Sequence, residues 1–199
     1  INGLTIGSIY VLISLGLTLT FTVFKVPYFA HAPVVMFGAF FTYFLCRLYH
    51  FNFWLAMVVS ACGCALIAAA MERFLFRQFL ERHPLEIFTI IFGAYMLMEN
   101  LALVVWGIYP KVIPPFATYA FQVGTIYINL ERIVIILTGF FVIILLHLFV
   151  KKTKLGKAIR ATSQDMFTAS VLGVNIDRIR SLTFALSGAL GAVAGSFLG

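Results

Sequence analysis

Apolar stretches of about twenty residues recur along the whole chain, and this repetition restricts the fold more than any motif does. The hydrocarbon core of a bilayer takes ~20 residues of helix to cross. The 199 residues leave room for about six such crossings with short connections. At 62% hydrophobic and 11% charged, with a mean hydropathy of +1.05, the chain is too apolar for water; a soluble domain has roughly 45–50% apolar residues. One leading apolar run, as in a secretory signal, does not describe it. The expected fold is an all-α integral membrane protein, a polytopic helix bundle forming a single domain over residues 1–199, with lipid as its solvent. No segment is long enough for a separate soluble domain. The chain opens on Ile1 and closes on Gly199 within an apolar run, so a fragment lacking C-terminal helices is expected.

The first span is read from Asn2 to Phe24 and closes at Lys25. The second covers Tyr28 to Leu48 and is interrupted near its start, where Pro27 and Pro33 remove backbone donors and disfavour a straight helix. The third runs from Phe53 to Met71, rich in Ala, Gly and Cys. A polar stretch from Glu72 to Glu86, with Arg77, Glu81, Arg82 and Pro84, reads as a loop in water. The fourth span covers Ile87 to Gly107. A Pro-rich connection with Pro110, Pro114 and Pro115 then leads to Asn129 and has room for a short hairpin. Ile133 to Val150 is the fifth span, and the sixth begins near Ser181. Ser187, Gly191, Gly195 and Gly199, spaced by four, with Gly188 beside them, give the sixth span a small face for close helix packing.

Basic residues set the orientation, because Lys and Arg collect on the cytoplasmic side. With these spans, Lys25, Arg73, Arg77, Arg82, Lys151, Lys152, Lys154, Lys157, Arg160, Arg178 and Arg180 share one side, eleven of the fourteen Lys and Arg residues. Only Arg47, Lys111 and Arg132 fall on the other. The net charge of +7 is thus loop charge at a membrane surface and not a nucleic-acid patch.

The segment from Gly156 to Ile179 reads as two short helices with a hinge, a cytoplasmic hook. Ser163 is its candidate N-cap, Asp165 lies in the first turn, and Gly173 is the candidate left-handed cap. Met166, Phe167, Val171, Leu172 and Val174 give it an apolar face, and Asn175 or Asp177 caps the helix that follows. A snorkelling interfacial loop is the alternative.

Among the polar side chains within the apolar spans, His31, Glu99 and Asn100 are the candidates for a functional role. His31 lies near the cytoplasmic end of the second, where a neutral imidazole would bond backbone groups freed by Pro33; a substrate contact is the other reading. Glu99 and Asn100 sit inside the fourth. An acid there costs on the order of 2.5–3.5 kcal/mol to insert and faces the bundle or an aqueous path, so pathway lining and buried hydrogen-bonded glue both stay open. Cys46, Cys62 and Cys64 are odd in number and lie in apolar runs, which argues for packing and against a disulfide framework or zinc site. No metal site is expected. Neither a phosphate-binding Gly-rich loop nor a His-Glu-x-x-His helix is present, and no span holds a carboxylate pair at helical spacing; no catalytic residue is assigned.

Several blocks, in order, resemble the permease subunits of branched-chain amino-acid ABC importers, specifically the first of the two paired permeases. These blocks are Asn2 to Tyr10, Phe29-Ala30-His31 through Ala39, Glu99-Asn100-Leu101-Ala102 to Gly107, and Thr153 to Ala161 continuing through Gln164-Asp165 and Gly173 to Arg178. The resemblance implies a multi-pass protein of the cell inner membrane that imports branched-chain or other apolar amino acids and binds no cofactor itself. ATP would be bound by separate ATP-binding subunits. A second, related permease subunit and an extracytoplasmic substrate-binding protein are the other implied partners. In that family a loop with a degenerate E-A-A-x-x-x-G pattern docks on the ATPase. Residues 151–180 would be this coupling loop, with Ser163, Gln164, Asp165, Phe167, Thr168, Ala169 and Gly173 at the contact. Gly173 and Ala169 match the pattern, whereas Phe167 and Thr168 stand in place of its Glu and first Ala. An ion- or proton-coupled carrier using Glu99, a passive channel for urea or an amide, and a membrane anchoring subunit are the rival readings.

Overall fold

The computed structural model describes residues 2–79, 83–109, 111–113, 120–123 and 126–199. Among the described residues, six helices are long and apolar enough to cross a membrane, and the protein is a multi-pass membrane protein. In chain order they are α1 (Asn2–Phe24), α2 (His31–Leu48), α3 (Phe53–Met71, prolonged by turns to Phe79), α4 (Pro84–Trp106), α5 (Leu130–Lys152) and α8 (Ile176–Leu198). A two-stranded antiparallel hairpin, β1 (Ala120–Val123) with β2 (Ile126–Asn129), precedes α5. Two shorter helices, α6 (Lys154–Gln164) and α7 (Met166–Val171), link α5 to α8. Glu81, Arg82, Pro110, Pro114 and Pro115, expected in connections, lie outside the described residues.

The interruption in the second span falls at its entrance. Phe29 and Ala30 form a turn, α2 starts at His31, and Pro33 sits in the first turn, where a helix has no use for its missing N–H. Tyr28 is fully buried there, its ring edge-on to Phe76 and Phe184, with Phe24 completing the aromatic cluster. This cluster closes one end of the bundle between α1, α3, α4 and α8.

Helix α8 is the axis of the molecule, packed on α1, α2 and α3. Its small residues explain the position: Gly188 lies against Cys64 and Ala68 of α3, and Gly195 against the backbone of Val35 and Ala39. A Cβ on Gly195 would stand 2.1 Å from the Val35 carbonyl oxygen, and one on Gly38 would stand 2.4 Å from Cα of Ala192. Backbones this close leave no room for larger residues, the usual basis of tight packing between membrane helices. Hydroxyls add polar contacts at the same seam, with Thr42 Oγ1 2.6 Å from Ser196 Oγ and Ser60 donating to Gly38 O at 2.9 Å. Helix α5 is apolar on every side and packs chiefly on α1 and α6.

Two expectations about polar segments are corrected. Glu72 is not in a water-filled loop: it is fully buried, in a π-helical turn Glu72–Phe76 that extends α3. The last span also begins earlier than Ser181, at Ile176, because the Asn175 side chain accepts from Arg178 N at 3.0 Å and starts the helix there. Caps outrank hydropathy in setting such a boundary.

Candidate functional site

One end of the bundle gathers Lys25, Arg77, α6, α7 and the start of α8, while Asn2, Arg132 and Gly199 lie at the other. For these described residues the division is the one expected from the sequence. The hook begins at Thr153, whose hydroxyl accepts from Gly156 N at 2.9 Å and caps α6. Gly156 lets the corner close, since a Cβ there would meet the Val150 carbonyl oxygen at 2.4 Å. Ile159 then packs with Val23 and Ile179, fixing α6 against α1 and α8.

The hinge between α6 and α7 is capped by Asp165, which corrects the assignment of Ser163. Asp165 Oδ1 accepts from Phe167 N at 2.9 Å and Thr168 N at 3.2 Å, and the Thr168 hydroxyl donates to Oδ2. Ser163 instead sits in the last turn of α6 and donates to Arg160 O at 2.7 Å, with exposed Gln164 ending that helix. A carboxylate takes all three donors where one hydroxyl could not. The Thr168 hydroxyl first, then the backbone N–H groups, hold the Asp165 carboxyl below the usual carboxylate range.

At its other end α7 closes on a Schellman motif. Gly173 has φ +84°; Val174 N donates to Ala169 O and Gly173 N to Ser170 O, both at 3.0 Å. Capped at both ends, this short helix buries Ala169 and leaves Phe167, Val171 and Leu172 at 78, 71 and 77% exposure.

Beside the hook stands an ion-pair cluster that reading the sequence missed. Arg77 donates Nε to Glu72 Oε1 at 3.2 Å and Nη2 to Oε2 at 3.0 Å; Nη2 also reaches Ser181 Oγ at 2.8 Å, and the Ser181 hydroxyl donates to Glu72. Asp177 lies 3.6 Å from Arg77 and 3.9 Å from Arg180. Residues five apart in an α-helix are about 140° apart around the axis. The wider π turn, in which Arg77 N donates to Glu72 O, brings the pair to one side.

Within the spans, His31 is buried, and its Nδ1 lies 3.2 Å from Ser187 Oγ of α8. The ring meets that hydroxyl and the Ile13 backbone of α1, rather than backbone freed by Pro33. Gly16 and Gly191 flank the ring, where a Cβ would come within 2.8 and 3.1 Å of Cε1. Glu99 and Asn100 are not brought to this seam. Both are exposed on α4; Asn100 donates to Met96 O at 2.7 Å. Glu99 is hydrogen-bonded to Tyr95, one turn away, at a hollow of about 150 Å³ with Ala32, Pro33 and Met36. Among the described residues, no group of three or more His, Cys, Asp or Glu side chains is placed to hold a metal ion.

A family model described as the permease component of branched-chain amino-acid transport systems matches residues 1–199, the entire chain. The chain belongs to that permease family. It is 28% identical over 211 residues to the high-affinity branched-chain amino acid transport system permease protein LivH of Salmonella typhimurium and to that of Escherichia coli K12. Each alignment covers 100% of this chain and 68% of the relative. BraD of Pseudomonas aeruginosa, with the same descriptive name, is 28% identical over 212 residues, covering 100% of this chain and 69% of that protein. No solved structure matches.

In this permease, the hook and the small face of α8 carried local signals: turn formers at fixed offsets and glycines spaced by four. The ion-pair cluster carried a weaker one. Glu72 and Arg77 are five apart, a spacing that suggests no contact in an α-helix, and Ser181 is 109 residues from Glu72.

Proposed function

We propose that this permease is a membrane-spanning subunit of an ATP-driven importer for branched-chain or other small apolar amino acids, seated in the cell inner membrane. The observation carrying this reading is the apolar face of α7. Phe167 and Val171, one turn apart, are exposed while Ala169 on the opposite side is buried. A rigid, capped helix with such a face suits a groove on a partner protein. Family membership supports the class of partner, an ATP-binding subunit that hydrolyses ATP so that this chain need not. The names of the relatives support the solute class.

Residues 151–180 are then the coupling loop, with Asp165 and Thr168 holding the start of α7, Gly173 its end, and Ser163 and Gln164 the approach. Solute arrives from an extracytoplasmic binding protein. Glu99 and Asn100 are assigned to a face turned from lipid, toward a second, related permease subunit and the pathway, because a lipid-facing acid costs on the order of 2.5–3.5 kcal/mol. His31 is assigned a buried structural role against Ser187. The test is a Phe167→Ser, Val171→Ser double variant of the full-length protein, expressed with its partner subunits. The expected result is loss of ATPase co-purification and of ATP-driven uptake at an unchanged amount of permease in the membrane. Co-purification and uptake at wild-type levels would overturn the reading.

A further inference from the structure

A cleft of about 650 Å³ opens between the end of α3, the hook and the start of α8. Ala69, Leu182 and Ala185 give it an apolar wall, and Leu155 of α6 lines it too. Arg73, Arg77 and Arg178 line it as well, with Asp177 the only carboxylate in the described lining. That carboxylate already faces Arg77 and Arg180, and Arg77 is committed to Glu72. Arg73 and Arg178 are exposed, and among the described residues neither has a carboxylate within ion-pair distance. Two guanidinium groups therefore stand free over an apolar trough at the end of the bundle that the basic residues place in the cytoplasm.

We propose that this cleft binds one anionic phospholipid of the cytoplasmic leaflet. Arg73 and Arg178 hold the phosphate, for which the planar guanidinium offers paired donors. The proximal acyl chain lies along Ala69, Leu182 and Ala185. A free inorganic anion would use the arginines and leave the trough bare, whereas a lipid uses both, and the anionic cytoplasmic leaflet supplies it. Because its walls come from α3, α6 and α8, the bound lipid would also brace the hook against the bundle. The proposal is independent of what docks on α7.

The experiment is native mass spectrometry of the full-length permease assembled with its partner subunits, released from bilayers of phosphatidylcholine with phosphatidylglycerol as the probe. Wild type is expected to retain phosphatidylglycerol over phosphatidylcholine, saturably, with one molecule per chain at this site. An Arg73→Gln, Arg178→Gln double variant should retain it about thirtyfold less, the loss of two guanidinium contacts to one headgroup. A Lys151→Gln, Lys152→Gln variant, with equal charge loss outside the cleft, should retain it as wild type does. The proposal fails if wild type shows no preference for phosphatidylglycerol, if both variants behave alike, or if inorganic phosphate displaces the lipid. It fails also if the arginine variant sheds its partner subunits while lipid retention is unchanged, which would give the cleft to an acidic protein surface.

Discussion

Replacing Gly173 with valine separates the hook from the bundle more cleanly than any other single change. Gly173 has φ +84°, and a Cβ there would meet nothing within 4 Å. The substitution is thus not a packing defect; its cost lies in the backbone, about 1–2 kcal/mol for an L-residue held in the left-handed region. Helix α7 spans only Met166–Val171, too short to persist without its caps. A penalty of that size lowers the fraction of formed hook about five- to thirtyfold. The six spans, which do not rely on this residue, should keep their thermal stability. Asparagine enters the left-handed region more readily, so Gly173→Asn should fall between valine and wild type. The assays are hydrogen exchange over 166–174 and ATP-driven uptake by the full complex in proteoliposomes. If Gly173→Val transports like wild type, or valine and asparagine give equal protection in α7, the argument is refuted.

The remaining predictions concern the seam, the ion pair and the cap. Gly195→Ala places a methyl 2.1 Å from the Val35 carbonyl oxygen and should destabilise the folded bundle by about 1–3 kcal/mol. Gly3→Ala, with nothing within 4 Å, should leave thermal unfolding unchanged. Arg77→Ala strands a fully buried carboxylate at Glu72, for which about 3–5 kcal/mol is expected. Glu72→Gln should cost less because the Arg77 side chain, 29% exposed, can reach water; equal melting temperatures for the two would contradict this. The Asp165 carboxyl is held below its usual range in the folded hook, so the stability it adds is present above the unfolded pKa and lost as pH falls through the folded one. Exchange protection in α7 should therefore stay flat between about pH 7 and pH 5 and fall only in more acidic solution, a fall absent in Asp165→Asn.

How much of this was legible depends on whether a residue's partner is local. The limits of α1, and the caps at Asn175 and Gly173, follow from hydropathy and turn chemistry within a few residues. Ser163 and Asp165 are both good caps two positions apart, and sequence could not rank them. The choice rests on three donors converging on one carboxylate. Glu72 looked like the start of an aqueous loop because its polar neighbours did. What holds it inside is Ser181 on α8, 109 residues away, together with Arg77, which only the π turn brings round to its side. The imidazole of His31 likewise meets a hydroxyl 156 residues away.

The distribution of close contacts determines what can move in such a bundle. Helices α2, α3 and α8 meet through glycine backbones, at Gly38 on Ala192, Gly188 on Cys64 and Gly195 on Val35. Thr42, Ser60 and Ser196 add hydrogen bonds at the same seam. Sliding one of these helices past another would drive backbone into backbone, so the three form one rigid unit. Helix α4 touches that unit through apolar side chains such as Met98 and Ala102, and α5 packs mainly on α1 and α6. Apolar contacts of this kind have no strong counterpart to the hydrophobic effect when lipid is the alternative solvent. The hook joins the rigid unit directly, since Val174 and Asn175 carry the chain from the Schellman turn into the first turn of α8. A displacement of α7 is therefore delivered to the stiffest part of the molecule, and the looser boundaries with α4 and α5 are where it must be relieved.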